Sequence, residues 1–135
     1  MARSIVDDAQ YQRLLEFRTG MRTFLRWSEQ QAETVGLTAA QHQLLLAVRG
    51  HPGPDAATVG DVAAALLLKH HSAVGLVDRA ELAGLVRRRT DPDDARVVRL
   101  ELTSLGHHRL TQLSALHLEE LRRVAPRMRD LWSDL

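Results

Sequence analysis

Basic and imidazole side chains gather in one short stretch of this sequence. Between residues 69 and 99 stand Lys69, Arg79, Arg87, Arg88, Arg89, Arg96 and Arg99, opposed by Asp78, Glu81, Asp91, Asp93 and Asp94, with His70 and His71 adding imidazoles. Imidazoles and the Ser72 hydroxyl can bond to purine N7 or to phosphate oxygens, and arginines suit phosphate as well. A solvated charged face accounts for the same bias. The chain as a whole decides nothing here, because 18 Lys+Arg against 17 Asp+Glu leave a net charge of +1. Any polyanion has to be met by the local distribution.

Other chemistries find less support. Seven histidines invite a metal, yet His42, His51, His107, His108 and His117 offer no pair at the helical H-x-x-x-H spacing that zinc uses. No cysteine is present, which removes thiolate ligands, disulfides and thiol redox sensing and is compatible with a reducing cytoplasm. His117 falls on an apolar seam and reads as a core histidine with its hydrogen bonds satisfied. A regulator that assembles a metal site from distant histidines stays as an alternative. No Gly-rich phosphate loop, nucleophile elbow or pair of carboxylates in an apolar setting occurs, so no catalytic residue and no cofactor are expected.

The elements that would position the basic stretch follow from periodicity. Leu14, Phe17, Met21, Phe24 and Leu25 recur at helical steps in a segment from about Asp8 to Val35, with Asp7 or Asp8 to cap it and Gly36 to end it. So long a stripe exceeds what a 135-residue chain can cover alone, and a partner chain is its expected cover. Thr38-Ala-Ala-Gln41 is a capping box that launches a helix ending at Gly50. His51-Pro-Gly-Pro54 is a loop, and Thr58 caps a compact helix containing Val59, Val62, Ala63 and Leu66. Another helix starts near Lys69 or His70 and runs to Ala83, with Gly84 as its stop. The period then changes: 85–89 and 97–102 read as short strands around the turn-rich tip Thr90-Asp-Pro-Asp-Asp-Ala95. Thr103 or Ser104 caps a last helical region in which Leu110, Leu113, His117, Leu121, Val124, Met128 and Leu131 form a seam. Pro126 interrupts it, either as a kink or as the first residue of a last short helix. The expected class is mainly α with a small β-hairpin wing, a winged helix-turn-helix with N- and C-terminal dimerisation helices. The start, MARSIVDDAQ, has no apolar leader, and no run is long enough to span a membrane.

In such a fold the first turn of the second helix faces base edges in the major groove. Those positions are Lys69, His70, His71, Ser72, Val74 and Gly75. Val74 suits a thymine methyl, and the small Gly75 permits close approach. A polar helix start touching nothing is the other reading of His70-His71.

Residues 66–106 resemble the multiple-antibiotic-resistance regulator (MarR) family. The matching pieces are Val77-Asp-Arg79, Gly84-Leu-Val-Arg-Arg88, Asp91-Pro, Asp94-Ala-Arg96 and Leu102-Thr-x-x-Gly106, preceded by Gly36-Leu-Thr-x-x-Gln41. Ala80 departs from the pattern where Leu is usual, and Leu82 is expected to fill that place. The tip is unusually acidic, and the region after Leu121 is short.

The resemblance implies one domain over 1–135: helices 8–35 and 104–135 interlock with a second copy, and 37–102 forms the winged lobe. It implies a regulator of double-stranded DNA, a repressor released by a small-molecule effector, acting in the cytoplasm on a pseudo-palindromic operator. Arg96 resembles the wing residue that enters the minor groove, with Asp94 orienting it; a pair that merely stiffens the hairpin is the alternative. Arg79 joins the expected DNA-binding set. Arg88 occupies a position where a structural salt bridge and a phosphate contact fit equally. Tyr11, Arg18, Phe24 and Trp27 lie on the first helix, where effectors of the family bind, but each also reads as core or solvent face. A dimeric winged helix that binds another protein is the remaining alternative.

Overall fold

The computed structural model describes residues 5–133. The outer ends of the 1–135 span, including the last residues of the expected 104–135 helix, lie outside the described residues. Five helices and one hairpin follow in the order α1 (Asp8–Thr34), α2 (Ala39–Arg49), α3 (Val59–Leu66), α4 (His70–Leu82), β1 (Val86–Thr90), β2 (Val98–Leu102) and α5 (Ser104–Ser133). The strands pair antiparallel, with Val86 opposite Leu102 and Arg88 opposite Leu100.

Helix starts are fixed by side-chain caps. Thr38 and Gln41 form the expected box on α2, and two further boxes join Asp7 to Gln10 on α1 and Thr58 to Asp61 on α3. Each satisfies two N–H groups that the first turn leaves open. Helix α4 differs: its N-cap is Lys69, which makes no capping hydrogen bond. Gly36 and Gly84 take positive φ after α1 and α4, where glycine meets no Cβ penalty. Leu67, after α3, also takes φ 55°, a conformation that costs an L-residue with a Cβ roughly 1–2 kcal/mol.

The core lies within the lobe. Leu44 and Leu45 of α2, Val62 of α3, Val77 of α4, Val86 and Leu100 of the hairpin and Leu113 of α5 are all fully buried. The hairpin, too small to stand alone, is tied down by the Leu100 amide, which donates to Ala57 O at 2.8 Å. The Leu102-Thr-x-x-Gly106 motif has a physical cause. Thr103 Oγ1 accepts from the Gly106 amide and donates to Gly84 O at 2.6 Å. A Cβ on Gly106 would stand 2.1 Å from Leu85 O, so only glycine lets α5 start against β1.

Two expectations change. Leu82 does not replace the missing leucine at 80: Ala80 itself is fully buried, while Leu82 is 89% exposed. Two positions turn a helix by about 200°, so Leu82 faces away from the core. Pro126 starts no new helix, because α5 runs through it from Ser104 to Ser133; it leaves the Arg122 carbonyl without its helical donor.

Helices α1 and α5 pack on each other along their outer halves. Phe17 meets Trp132 with centroids 5.6 Å apart, Glu16 pairs with Arg127, and Gly20 gives room for the Met128 sulfur. No described helix is long and apolar enough to cross a membrane.

Candidate nucleic-acid interface

The first turn of α4 stands open. Lys69, His70, His71 and Ser72 are exposed, Val74 and Gly75 are half-buried, and Ala73, Leu76, Val77 and Ala80 turn into the core. Burial of one stripe therefore forces the opposite stripe outward. Arg79 extends this outer face, its Nη1 lying 3.2 Å from where a Cβ of Gly75 would be. A larger residue at 75 would displace that guanidinium. Among the described residues neither Lys69 nor Arg79 has an ion-pair partner.

The wing is built by its acids. Asp91 Oδ1 accepts from the amides of Asp93 and Asp94, and Asp91 Oδ2 accepts from Arg99 Nε at 3.0 Å. Arg99 Nη1 then donates to Ala56 O, fastening the tip to the loop before α3. Asp94 accepts two hydrogen bonds from the Arg96 guanidinium, both at 3.1 Å, and a third from the Arg96 amide. These bonds hold the Asp91 and Asp94 carboxyls below the usual carboxylate range, the Asp91 shift led by the Asp93 amide and the Asp94 shift by the Arg96 side chain. The Arg96 side chain is 90% exposed, so Asp94 aligns it without covering it. Two of the three tip acids, Asp91 and Asp94, are thus consumed in shaping the turn. Asp91 and Arg99 were not among the sequence-derived site residues; the signal was an Asp followed by free amides two and three positions on, an Asx turn.

Arg88 is placed differently. Its Nη2 donates to Asp78 at 2.6 Å and its Nη1 to Glu81 at 2.8 Å, while its own amide donates to Glu81 Oε2. Partial burial pulls its pKa down, but the two carboxylates outweigh this and raise it. The side chain staples β1 to the end of α4. On the other face of the strand Arg87 and Arg89 share Glu101 across the hairpin. The sequence-derived residues therefore fall into two surfaces, the α4 face and the wing tip, with Arg88 between them in its ion pairs with Asp78 and Glu81.

Comparison with known proteins points to one family. The MarR family profile matches residues 35–97, from the end of α1 to the foot of β2. A solved MarR family transcription regulator, SP03579, superposes with TM-score 0.75 at 28% identity over 88% of this chain and 77% of its own. This chain is similar to the MarR family. Two further solved structures share the fold. They are the MepR–DNA complex of Staphylococcus aureus (TM-score 0.69, 24% identity, 81% of this chain and 78% of that one) and YusO from Bacillus subtilis (0.64, 22%, 89% and 83%). No curated protein matches the chain.

Beneath the winged lobe, aromatic side chains from three helices meet. His117 of α5 donates or accepts at both ring nitrogens, to Ser28 Oγ at 2.6 Å and to Leu113 O at 2.7 Å. It stands against Phe24, Trp27 and His42, the His42 centroid 4.7 Å away. A carbonyl can only accept, so Nδ1 carries a proton, and in the neutral ring Nε2 accepts from Ser28. His117 is thus the satisfied histidine expected on the seam. His42 is 6% exposed, and burial, then the neighbouring His117, pushes its pKa down. Among the described residues no group of three or more His, Cys, Asp or Glu could hold a metal ion. Of the first-helix residues named from sequence, Phe24 and Trp27 enter this junction while Tyr11 and Arg18 stay exposed. Outward from it, a groove of about 1070 Å³ opens between α1 and α5, lined by Leu15, Phe24, Trp27, Val124 and Met128 among others.

Proposed function

We propose that this chain is a MarR-family transcription regulator that binds double-stranded DNA as a homodimer. The observation that carries the reading is the pairing of two open cationic features on one lobe. The uncapped first turn of α4 offers Lys69, His70, His71 and Ser72, with Val74, Gly75 and Arg79 behind. The wing holds Arg96 out on Asp94. A helix fits the major groove, and a guanidinium is favoured in a narrow minor groove. Arg88 serves this interface from behind, by holding the wing on α4. The fold's occurrence in the MepR–DNA complex supports the same docking. The neighbouring intergenic DNA is the test, by electrophoretic shift with unlabelled competitor. A specific shift that weakens steeply with salt is expected. No specific shift at low salt favours a winged helix that binds protein.

The span 1–135 acts as one domain, with 37–102 as the reading lobe and 8–35 and 104–135 as the paired helices of the dimer. The apolar groove between α1 and α5, flanked by exposed Leu14, Leu25 and Leu121, supports cover by a second copy. Two lobes related by a two-fold axis would read a pseudo-palindromic operator with half-sites about 34–36 Å apart. Repression in the cytoplasm, relieved by a small molecule, completes the reading. The effector would bind where Phe24, Trp27, His42 and His117 join helices to lobe, with different affinity in the DNA-competent and incompetent states.

A further inference from the structure

We propose that Leu67 is a DNA-contacting residue, its apolar side chain packing against sugar and base-edge atoms beside the groove that α4 enters. The inference rests on the DNA-binding reading above and adds to it a residue outside the helix and the wing. Three observations carry it.

The first is conformational. Among the described non-glycine residues Leu67 alone has positive φ. It closes α3 as the left-handed residue of a Schellman turn, in which the Leu68 amide donates to Ala63 O at 2.9 Å and the Leu67 amide to Ala64 O at 3.4 Å. Glycine is favoured there, and among the described residues glycine does occupy the other two positive-φ positions, 36 and 84. The second is burial. Leu67 is 92% exposed, so the core gains nothing from the leucine that offsets the strain. A strained, solvent-facing apolar residue is the kind of outlier from which function is inferred.

The third is place and charge. Leu67 stands two residues before Lys69, the N-cap of α4, and beside the exposed turn of His70, His71 and Ser72. Between Asp61 and Asp78 the chain contains no acidic residue. An apolar side chain in acid-free, cationic surroundings suits a polyanion with apolar faces rather than an ordinary protein surface. Duplex DNA has such faces in its deoxyribose carbons and thymine methyls.

The test uses Leu67→Gly, Leu67→Asn and Leu67→Met in the full chain. The probe is a duplex enriched by the wild-type protein from a random-sequence library, and binding is followed by fluorescence anisotropy. Gly and Asn accept positive φ, so both variants are expected to melt at or above the wild-type temperature, by up to about 5 °C. Their Kd should nonetheless rise roughly tenfold. Leu67→Met keeps an apolar reach and should bind as wild type does. Wild-type affinity in the Gly and Asn variants overturns the role of Leu67 and leaves the regulator reading intact. Melting of both variants well below wild type also overturns it, by making the leucine structural. If the wild-type protein enriches no duplex, both readings fall.

Discussion

The lobe and the helix pair solve the burial problem in opposite ways. Short elements in the lobe, from α2 to β2, supply most of the fully buried side chains and are cross-tied by caps, the Asp91–Arg99 latch and the Arg88 staple. The helix pair is far longer and far barer. Of 27 residues in α1 only Ala32 is buried, and α5 buries four of 30, three of them at its lobe end. The lobe is a finished core carrying open cations, whereas the helices are an unfinished core waiting for apolar cover. On the proposed function, recognition and assembly are separated along the chain, so substitutions in one region should leave the other's property standing.

The sharpest break of that comparison is in the lobe. Gly106→Ala forces a methyl into Leu85 O and should destabilise the protein by about 3 kcal/mol, visible as a large drop in urea midpoint. An unchanged midpoint would mean that α5 is not seated on β1 and that the lobe is less finished than described. The matching break in the helix pair is Val124→Glu, which sets a carboxylate in the apolar groove. Self-association should weaken by about 3 kcal/mol, roughly a hundredfold, while the lobe stays folded. Light scattering showing a dimer of wild-type strength would mean the groove is covered by something other than a second copy.

Much of this division was legible in the residues. Periodicity and punctuation located every element, because Thr38, Thr58, Gly36, Gly50 and Gly84 act through local backbone chemistry that a sequence displays. What escaped was set by tertiary neighbours. Leu82 looked like a core substitute by spacing alone, yet its angle around α4 turns it outward. The acids of the wing looked like a liability for DNA contact until Asp91 was seen to bond two amides and Arg99. Pro126 marked a break that the packing of α5 on α1 overrides. The strain at Leu67 had no signature at all, since a leucine in a turn announces nothing about φ.

Two arginines eight residues apart sharpen the contrast within the lobe. Arg96→Ala should weaken operator binding roughly 5- to 150-fold with no change in melting, because Arg96 reaches only Asp94. Arg88→Ala should do the reverse. Its partners Asp78 and Glu81 are substantially solvated, so the loss is held to about 1 kcal/mol of stability, with DNA affinity falling only as far as the wing loosens. If both variants lose affinity equally and keep their melting temperature, Arg88 is a phosphate contact and the staple is dispensable.

The smallest expected effect lies where the two regions meet. Burial between α1, α2 and α5 lowers the His42 pKa, with His117 adding to the shift. The unfolded chain then takes up a proton near the ordinary imidazole value of about 6.5 that the folded chain refuses. Stability is therefore unaffected above that value, falls as pH drops below it, and levels off once the folded-state pKa is passed. His42→Gln removes the titration and should flatten the urea midpoint between about pH 7.5 and pH 5.5. The wing and cap carboxylates, Asp61, Asp91 and Asp94, have lowered pKa values, and their contribution is lost only near and below the ordinary carboxylate value of about 4. The window thus identifies the group: a slope that survives in His42→Gln at mildly acid pH would assign it to the other histidines and leave the junction between lobe and helices insensitive to protons.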